Sequence, residues 1–298
     1  MPIPESQLQT WSHQGSITQS KDTYAAIKRA LENTNATYTS RNFEIFLQGS
    51  YGNDTNIFAE SDVDVVIRYD GAFFHDLKRL STDEQNAFHA YFKDGAYTYD
   101  GFKGHVQGAL KAAFAGSVKL GKKAIRVEAN GSRRNADVVV AFEYRRYHKF
   151  SSAFDQSFDK GIVFFASDGT RIANYPKQHS ENCTTKHQVS GGNFKPLVRI
   201  FKNMRSKLVG DATIGKGVAP SYYIEGLLYN APVSCFSGSY ADMVCKTLTW
   251  LYQTADRSQF VCANKQYYLL RDNEPVCWPV ANGEEFIDAV IGLWNSWS

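Results

Sequence analysis

Two carboxylates at alternate positions in an apolar run constrain this chain more than any other feature. In Asp62-Val63-Asp64-Val65-Val66-Ile67 successive side chains of a strand alternate faces, so Asp62 and Asp64 project to one side and Val63 and Val65 to the other. A bare Asp-x-Asp is more often an exposed edge, because acidic residues are mostly on the surface. Here the valines and Ile67 make a buried type of strand, on which surplus charge needs a reason. Like charges so placed repel unless a cation sits between them. A third carboxylate, Asp137, opens an equally apolar run, Val138-Val139-Val140. Three aspartates on two such strands predict a ligand set for two Mg²⁺ ions roughly 3.5–4 Å apart, which activates an attacking oxygen and stabilises a leaving one. Hard oxygen donors favour Mg²⁺ or Mn²⁺ over zinc.

Upstream, Gly49-Ser50 directly follows the β-rich run Phe43-Glu44-Ile45-Phe46-Leu47 and Gln48. Gly49 has no side chain to obstruct a phosphate, and backbone N–H groups with the Ser50 hydroxyl can donate to its oxygens. Gly-Ser alone is usually a plain turn. Its spacing to Asp62 turns it into a candidate triphosphate cradle.

The remaining residues bound the class of protein. With 298 residues the chain can bury its own core as one large domain or two lobes. Its 33 basic and 30 acidic residues nearly balance, so no global basicity advertises nucleic-acid binding. The five cysteines are odd in number, widely spaced and free of any C-x-x-C pair, as expected of a reduced compartment. The start Met1-Pro2-Ile3-Pro4-Glu5 has no basic segment leading into an apolar run, and no long apolar stretch follows. A cytoplasmic protein without a membrane span is expected.

Apolar spacing predicts a helix from Ser20, as N-cap, to about Thr34, and two more between about Ser81 and Ala115, separated by Lys93-Asp94-Gly95. Strands are predicted over 43–47, 63–69, 123–127 and 136–142, with a hairpin from 162–166 to 171–175. After Pro176 the character is helical, with the clearest periodicity over 194–208, 221–230, 241–252 and 284–297. A strand-rich first half and a helical second half predict two lobes, 1–180 and 181–298.

Gly-Ser, then Asp-x-Asp about a dozen residues on, then an Asp on a later strand, resembles the DNA polymerase beta type of nucleotidyltransferase. More narrowly, Gln48-Gly49-Ser50-Tyr51 with Asn53, Thr55-Asn56-Ile57 and Ser61-Asp62-Val63-Asp64 resembles the cGAS/DncV-like nucleotidyltransferases of bacterial anti-phage signalling. The likeness extends over most of the chain. It implies an α+β fold: a polymerase-beta-like lobe with a mixed sheet, a mainly helical second lobe, and an active site in the cleft between them. By the same resemblance Ser221 contacts the triphosphate, Tyr222 stacks on a base and Lys202 binds phosphate. Asn174, in Asn174-Tyr175-Pro176-Lys177, resembles an E-clade element that favours pyrimidines, UTP among them. A tyrosine face stacks any base, so selectivity needs such a polar group. Taken without the aspartates, Tyr222 would be read as core and Lys202 as a solvated helical charge.

The resemblance implies a cyclic dinucleotide, or short cyclic oligonucleotide, made from NTPs with loss of pyrophosphate and passed to a downstream effector. Asp62 and Asp64 would hold both metals, with Asp137 completing one site and helping to activate a ribose hydroxyl. A monomer without nucleic acid or membrane partners is expected. Two other readings stay open. One is a nucleotidyltransferase acting on a separate small molecule, protein or RNA end. The other is a non-catalytic nucleic-acid sensor using Lys119, Lys122, Lys123 and Arg126, or Arg145, Arg146, His148 and Lys149, which otherwise read as solvated strand ends. Finally, His179, Cys183 and His187 recur every four residues, as zinc ligands on a helix would, but no fourth donor is evident and ordinary polar and core placement is preferred.

Overall fold

A computed structural model describes residues 2–15, 17–33, 35–58 and 62–297. Thr34, at the end of the first predicted helix, and Ser61, in the aspartate motif, lie outside the described residues. In chain order the elements are α1 (Glu5–Ser12), α2 (Thr18–Leu31), β1 (Phe43–Leu47), α3 (Gly49–Gly52), β2 (Val63–Asp76), α4 (Thr82–Tyr91), α5 (Tyr99–Ala113), β3 (Val118–Leu120), β4 (Ile125–Val127), β5 (Ala136–Ser152), β6 (Asp155–Phe165) and β7 (Arg171–Asn174). Then follow α6 (Pro176–Val189), α7 (Phe194–Gly210), α8 (Ser221–Asn230), α9 (Tyr240–Gln253) and α10 (Val280–Asn295). They form two compact units. One comprises Thr18–Leu47 and Asp62–Pro176, the other Met1–Ile17, Gln48–Ser61 and Lys177–Ser298.

The first unit is built on a seven-stranded mixed sheet in the order β1-β2-β5-β4-β3, with β6 on β5 and β7 on β6. Apolar alternation explains its centre: Val63, Val65, Val138 and Val127 are fully buried. β2 and β5 run parallel while their other pairings are antiparallel, and Asp64 stands opposite Asp137 in that parallel register. Helices α2 and α5 pack on each other and against this pair, contributing Ile27, Leu31, Phe102, Val106 and Leu110. The register slips between Tyr69 and Phe73. Gly71 lies inside that slip, where a Cβ would come within 2.3 Å of the Tyr69 hydroxyl oxygen, so only glycine fits without displacing the ring.

Several elements differ from their sequence expectations. Helix α2 begins at Thr18, and Ser20, expected as its cap, is buried in its first turn. Strands β2 and β5 run on to Asp76 and Ser152, where aromatic and charged side chains alternate. Leu77, Leu80, Phe88, Tyr147 and Phe150 form a second core there, under α4. Ser81 caps α4 in a capping box with Glu84.

The second unit is helical around α7, which packs with α1, α8, α9 and α10. Its apolar face explains this centrality, since Leu197, Val198, Phe201 and Met204 are all fully buried. Trp278 is fully buried as well, its ring stacked on Tyr223 with centroids 5.5 Å apart. α6, not marked by sequence periodicity, opens on Pro176, whose fixed φ suits a first helical position. No described helix is long and apolar enough to cross a membrane.

Candidate active site

Strand pairing collects the three aspartates. Asp64 is level with Asp137 on β2 and β5, and Arg126 of β4 is level with Asp137 on its other side. Residues level across a sheet share a face, so the three side chains point the same way while Val63, Val65, Val127 and Val138 fill the core behind them. Asp62 lies just before β2. Its Oδ2 is 3.1 Å from Arg126 Nη1, and Asp137 Oδ1 is 3.5 Å from that same nitrogen. The Asp62 and Asp137 carboxylates thus converge on one cationic nitrogen. Burial raises the Asp137 pKa, Arg126 opposes the shift, and the nearby Asp62 adds to it. The donors are oxygen only, which fits Mg²⁺ or Mn²⁺.

In the helical unit, Gln48 stands at the N-cap position of the one-turn α3 without a side-chain capping bond, and Gly49 takes φ 64°, a conformation natural to glycine. The chain from Gly49 to Asn56 then alternates in burial: Gly49 and Asp54 are exposed, while Asn53, Thr55 and Asn56 are buried. Asn53, Thr55 and the Asn56 Oδ1 each meet a partner, while Asn56 Nδ2 is buried without one. Asn53 Nδ2 donates to Glu225 Oε2 at 2.9 Å, and the Thr55 hydroxyl donates to Glu225 Oε1 in a short bond. Lys202, fully buried, donates from Nζ to the Thr55 carbonyl at 2.8 Å. Asn56 Oδ1 accepts from Gln14 Nε2 at 2.7 Å. Asp54, a non-glycine residue with φ 56°, is held by Lys195 on its carboxylate at 2.9 Å and Arg199 on its carbonyl at 2.6 Å.

Glu225 also bonds His179 Nε2, at 2.6 Å, and is 1% exposed. Burial alone would raise its pKa, but the His179 bond and charge, Lys202 and Thr55 outweigh that and hold it below the usual carboxylate range. The His179 ring stacks on Tyr222, centroids 4.8 Å apart, and the Tyr222 hydroxyl accepts from Asn264 Nδ2 at 2.9 Å. Tyr222 and Ser221 form the first turn of α8. So Lys202 meets the Gly-Ser loop directly, and Tyr222 is linked to it through His179 and Glu225. Asn174 ends β7, its Oδ1 accepting from the Tyr175 N–H at 2.8 Å.

The His179-Cys183-His187 grouping, set aside on the sequence in favour of ordinary placement, does not form among the described residues. His179 and Cys183 lie near Glu225, with donor atoms within 4.8 Å of one another, whereas His187 Nδ1 accepts from the Lys195 N–H. Both Glu225 oxygens are already engaged, and burial pushes the Cys183 thiol well above its ordinary range, away from the thiolate a metal needs. Sequence reading overlooked Glu225, Lys195 and Arg199. One signal existed: Glu225 is a lone charge in the apolar stretch Tyr222-Tyr223-Ile224-Glu225-Gly226-Leu227-Leu228.

The basic side chains considered for nucleic acid are largely matched by acids. Lys119 pairs with Glu128, Lys122 with Asp168, Arg145 with Glu143, Arg146 with Asp76, His148 with Asp159 and Lys149 with Asp155.

A mixed sheet carrying three level or adjacent aspartates, in a chain that also builds a Gly-Ser loop, defines a nucleotidyltransferase of the polymerase-beta type. Residues 181–295 match the family model of the cGAS/DncV-like nucleotidyltransferase C-terminal helical domain. The chain is 37% identical to the cyclic UMP-AMP synthase of Rhodothermus marinus, over 100% of this chain and 99% of that one. It is 35% identical to the cyclic nucleotide synthase CdnE01 of Staphylococcus haemolyticus, over the full length of both. The solved Rhodothermus marinus CdnE c-UMP-AMP synthase with Apcpp and Upnpp superposes with a TM-score of 0.89 at 36% identity, over 100% of this chain and 98% of that one. The chain belongs to the cGAS/DncV-like nucleotidyltransferases and, within them, to the CdnE enzymes.

Proposed function

We propose that this enzyme joins nucleoside triphosphates into a cyclic dinucleotide, or short cyclic oligonucleotide, with UTP among its substrates and pyrophosphate released. The observation that carries the reading is the convergence of Asp62 and Asp137, with Asp64 level beside Asp137, on one cationic nitrogen. Asp62, Asp64 and Asp137 would hold two divalent cations, Mg²⁺ or Mn²⁺. When bound, these supply charge neutralisation for the phosphates and acidify the attacking ribose hydroxyl. Asp137 is assigned to help accept that hydroxyl's proton as the oxygen attacks the α-phosphorus and pyrophosphate leaves. Gln48, Gly49 and Ser50 present the loop to the triphosphate, Ser221 adds a hydroxyl, Lys202 fixes the loop's far end, and Tyr222 offers a face for a base. Asn174 is the proposed reader of the pyrimidine edge. The cyclic product would act on a downstream effector in anti-phage signalling, in a cytoplasmic setting, with the enzyme acting as a monomer.

Incubating purified protein with all four NTPs and Mg²⁺, with no other acceptor, should give a cyclic product by mass spectrometry. Asp62→Asn and Asp64→Asn should each reduce turnover by at least about 10³-fold while the melting temperature holds, because the ligand set is broken and the fold is not. Unchanged turnover in either variant removes the central claim, and product only on addition of a separate acceptor favours the modifying-enzyme reading.

A further inference from the structure

The mechanism above makes no use of Glu225, yet no buried carboxylate in the helical unit has a more complete set of partners among the described residues. One oxygen accepts from Thr55, the other from Asn53, and that second oxygen also meets His179 Nε2 at 2.6 Å. Thr55 and Asn53 belong to the loop that begins at Gly49, and His179 carries the Tyr222 ring on its face. A single side chain on α8 therefore fixes both the segment that would cradle phosphate and the ring that would stack a base.

A structural role alone would not require an ionised group here. Burying a carboxylate is costly, and replacement by apolar residues of similar volume is often neutral or stabilising. Burial would raise the Glu225 pKa, yet the His179, Lys202 and Thr55 contacts outweigh it and hold the carboxyl below its usual range. Its geometry is also divided: two bonds reach the loop and one reaches the histidine under Tyr222. We infer that Glu225 is a positioning residue for nucleotide binding, with Asn53, Thr55 and His179 as its intermediaries. It sets the Gly49–Asn56 loop and the Tyr222 ring in mutual register before any nucleotide arrives. This rests on the reading of that loop as the triphosphate cradle.

Preorganisation of this kind is measured in affinity. Thr55→Val, which keeps the side chain's shape and removes its hydroxyl, should weaken binding of Upnpp with Mg²⁺ by about tenfold and raise the KM for UTP to match, with kcat at saturation changed by less than about twofold. Glu225→Gln should act in the same direction and more strongly. Thr55→Ser, which retains the hydroxyl, should restore affinity to within about twofold of the parent. A merely structural Glu225 would lower the melting temperature and the active fraction while leaving the KM of the folded molecules unchanged, and that outcome overturns the inference. If Glu225→Gln fails to fold, Thr55→Val against Thr55→Ser decides. Ser50→Ala separates the two levels of the argument. If it weakens Upnpp binding while Thr55→Val and Glu225→Gln do not, positioning alone is refuted; if none of the three does, the phosphate-cradle reading falls and takes this inference with it.

Discussion

Among single residues, Glu225 also makes the clearest pH prediction. Its folded pKa lies below the unfolded value of about 4.3, so the unfolded chain binds more protons as acid is added. The stability it contributes is therefore complete above that unfolded value and is lost as pH falls through the folded one. A series of melting curves should show the parent losing stability below about pH 4.5 more steeply than Glu225→Gln, which cannot titrate there. Parallel acid limbs would mean that the carboxylate is not held down. At this scale the aspartates stand out in the sequence and Glu225 does not. Asp64 and Asp137 interrupt apolar runs within their own strands and Asp62 directly precedes one, so neighbours alone expose them. The partners of Glu225 come from residues 53, 55 and 179, and no local pattern encodes contacts across such separations.

Elements were legible wherever one face is apolar and the other is not. β1 and the helices after Phe194 lie close to where periodicity places them. α6 falls in the stretch read as helical after Pro176 but lacks a clear apolar face, because its buried positions amount to His179 and Cys183. The far half of β5 was hidden differently. Its Tyr144, Tyr147 and Phe150 are buried, but the basic residues between them read as a solvated strand end until β6 supplies Asp155 and Asp159 opposite. The register slip in β2 gives a test at this scale. Tyr69 packs against Tyr97, Phe102 and Phe142, so its ring has nowhere to retreat from an added methyl at position 71. Gly71→Ala should cost about 1–3 kcal/mol, read as a lowered urea midpoint with an unchanged slope. A midpoint within error of the parent would show that the slip accommodates a side chain.

For the molecule as a whole, charge is organised by pairing. Net charge is +3, and the basic clusters that might have met a phosphate backbone instead meet acids within the same sheet unit. Duplex DNA should neither bind measurably at about 150 mM salt, where counterion release already weakens phosphate contacts, nor alter the rate of product formation. Strong salt-sensitive anisotropy with DNA would reverse that expectation.

The division into units also fixes an order of assembly during synthesis. The sheet unit has all its chain once Pro176 has left the ribosome, whereas the helical unit joins residues from Lys177 onward to Met1–Ile17 and Gln48–Ser61. Domains fold as units and N-terminal ones first, so the aspartates can be in place while the Gly-Ser segment still waits for Lys195, Lys202 and Glu225, which are made later. A nascent chain would then carry its three aspartates before the residues that hold its loop exist, so the loop is fixed only once synthesis has passed α8.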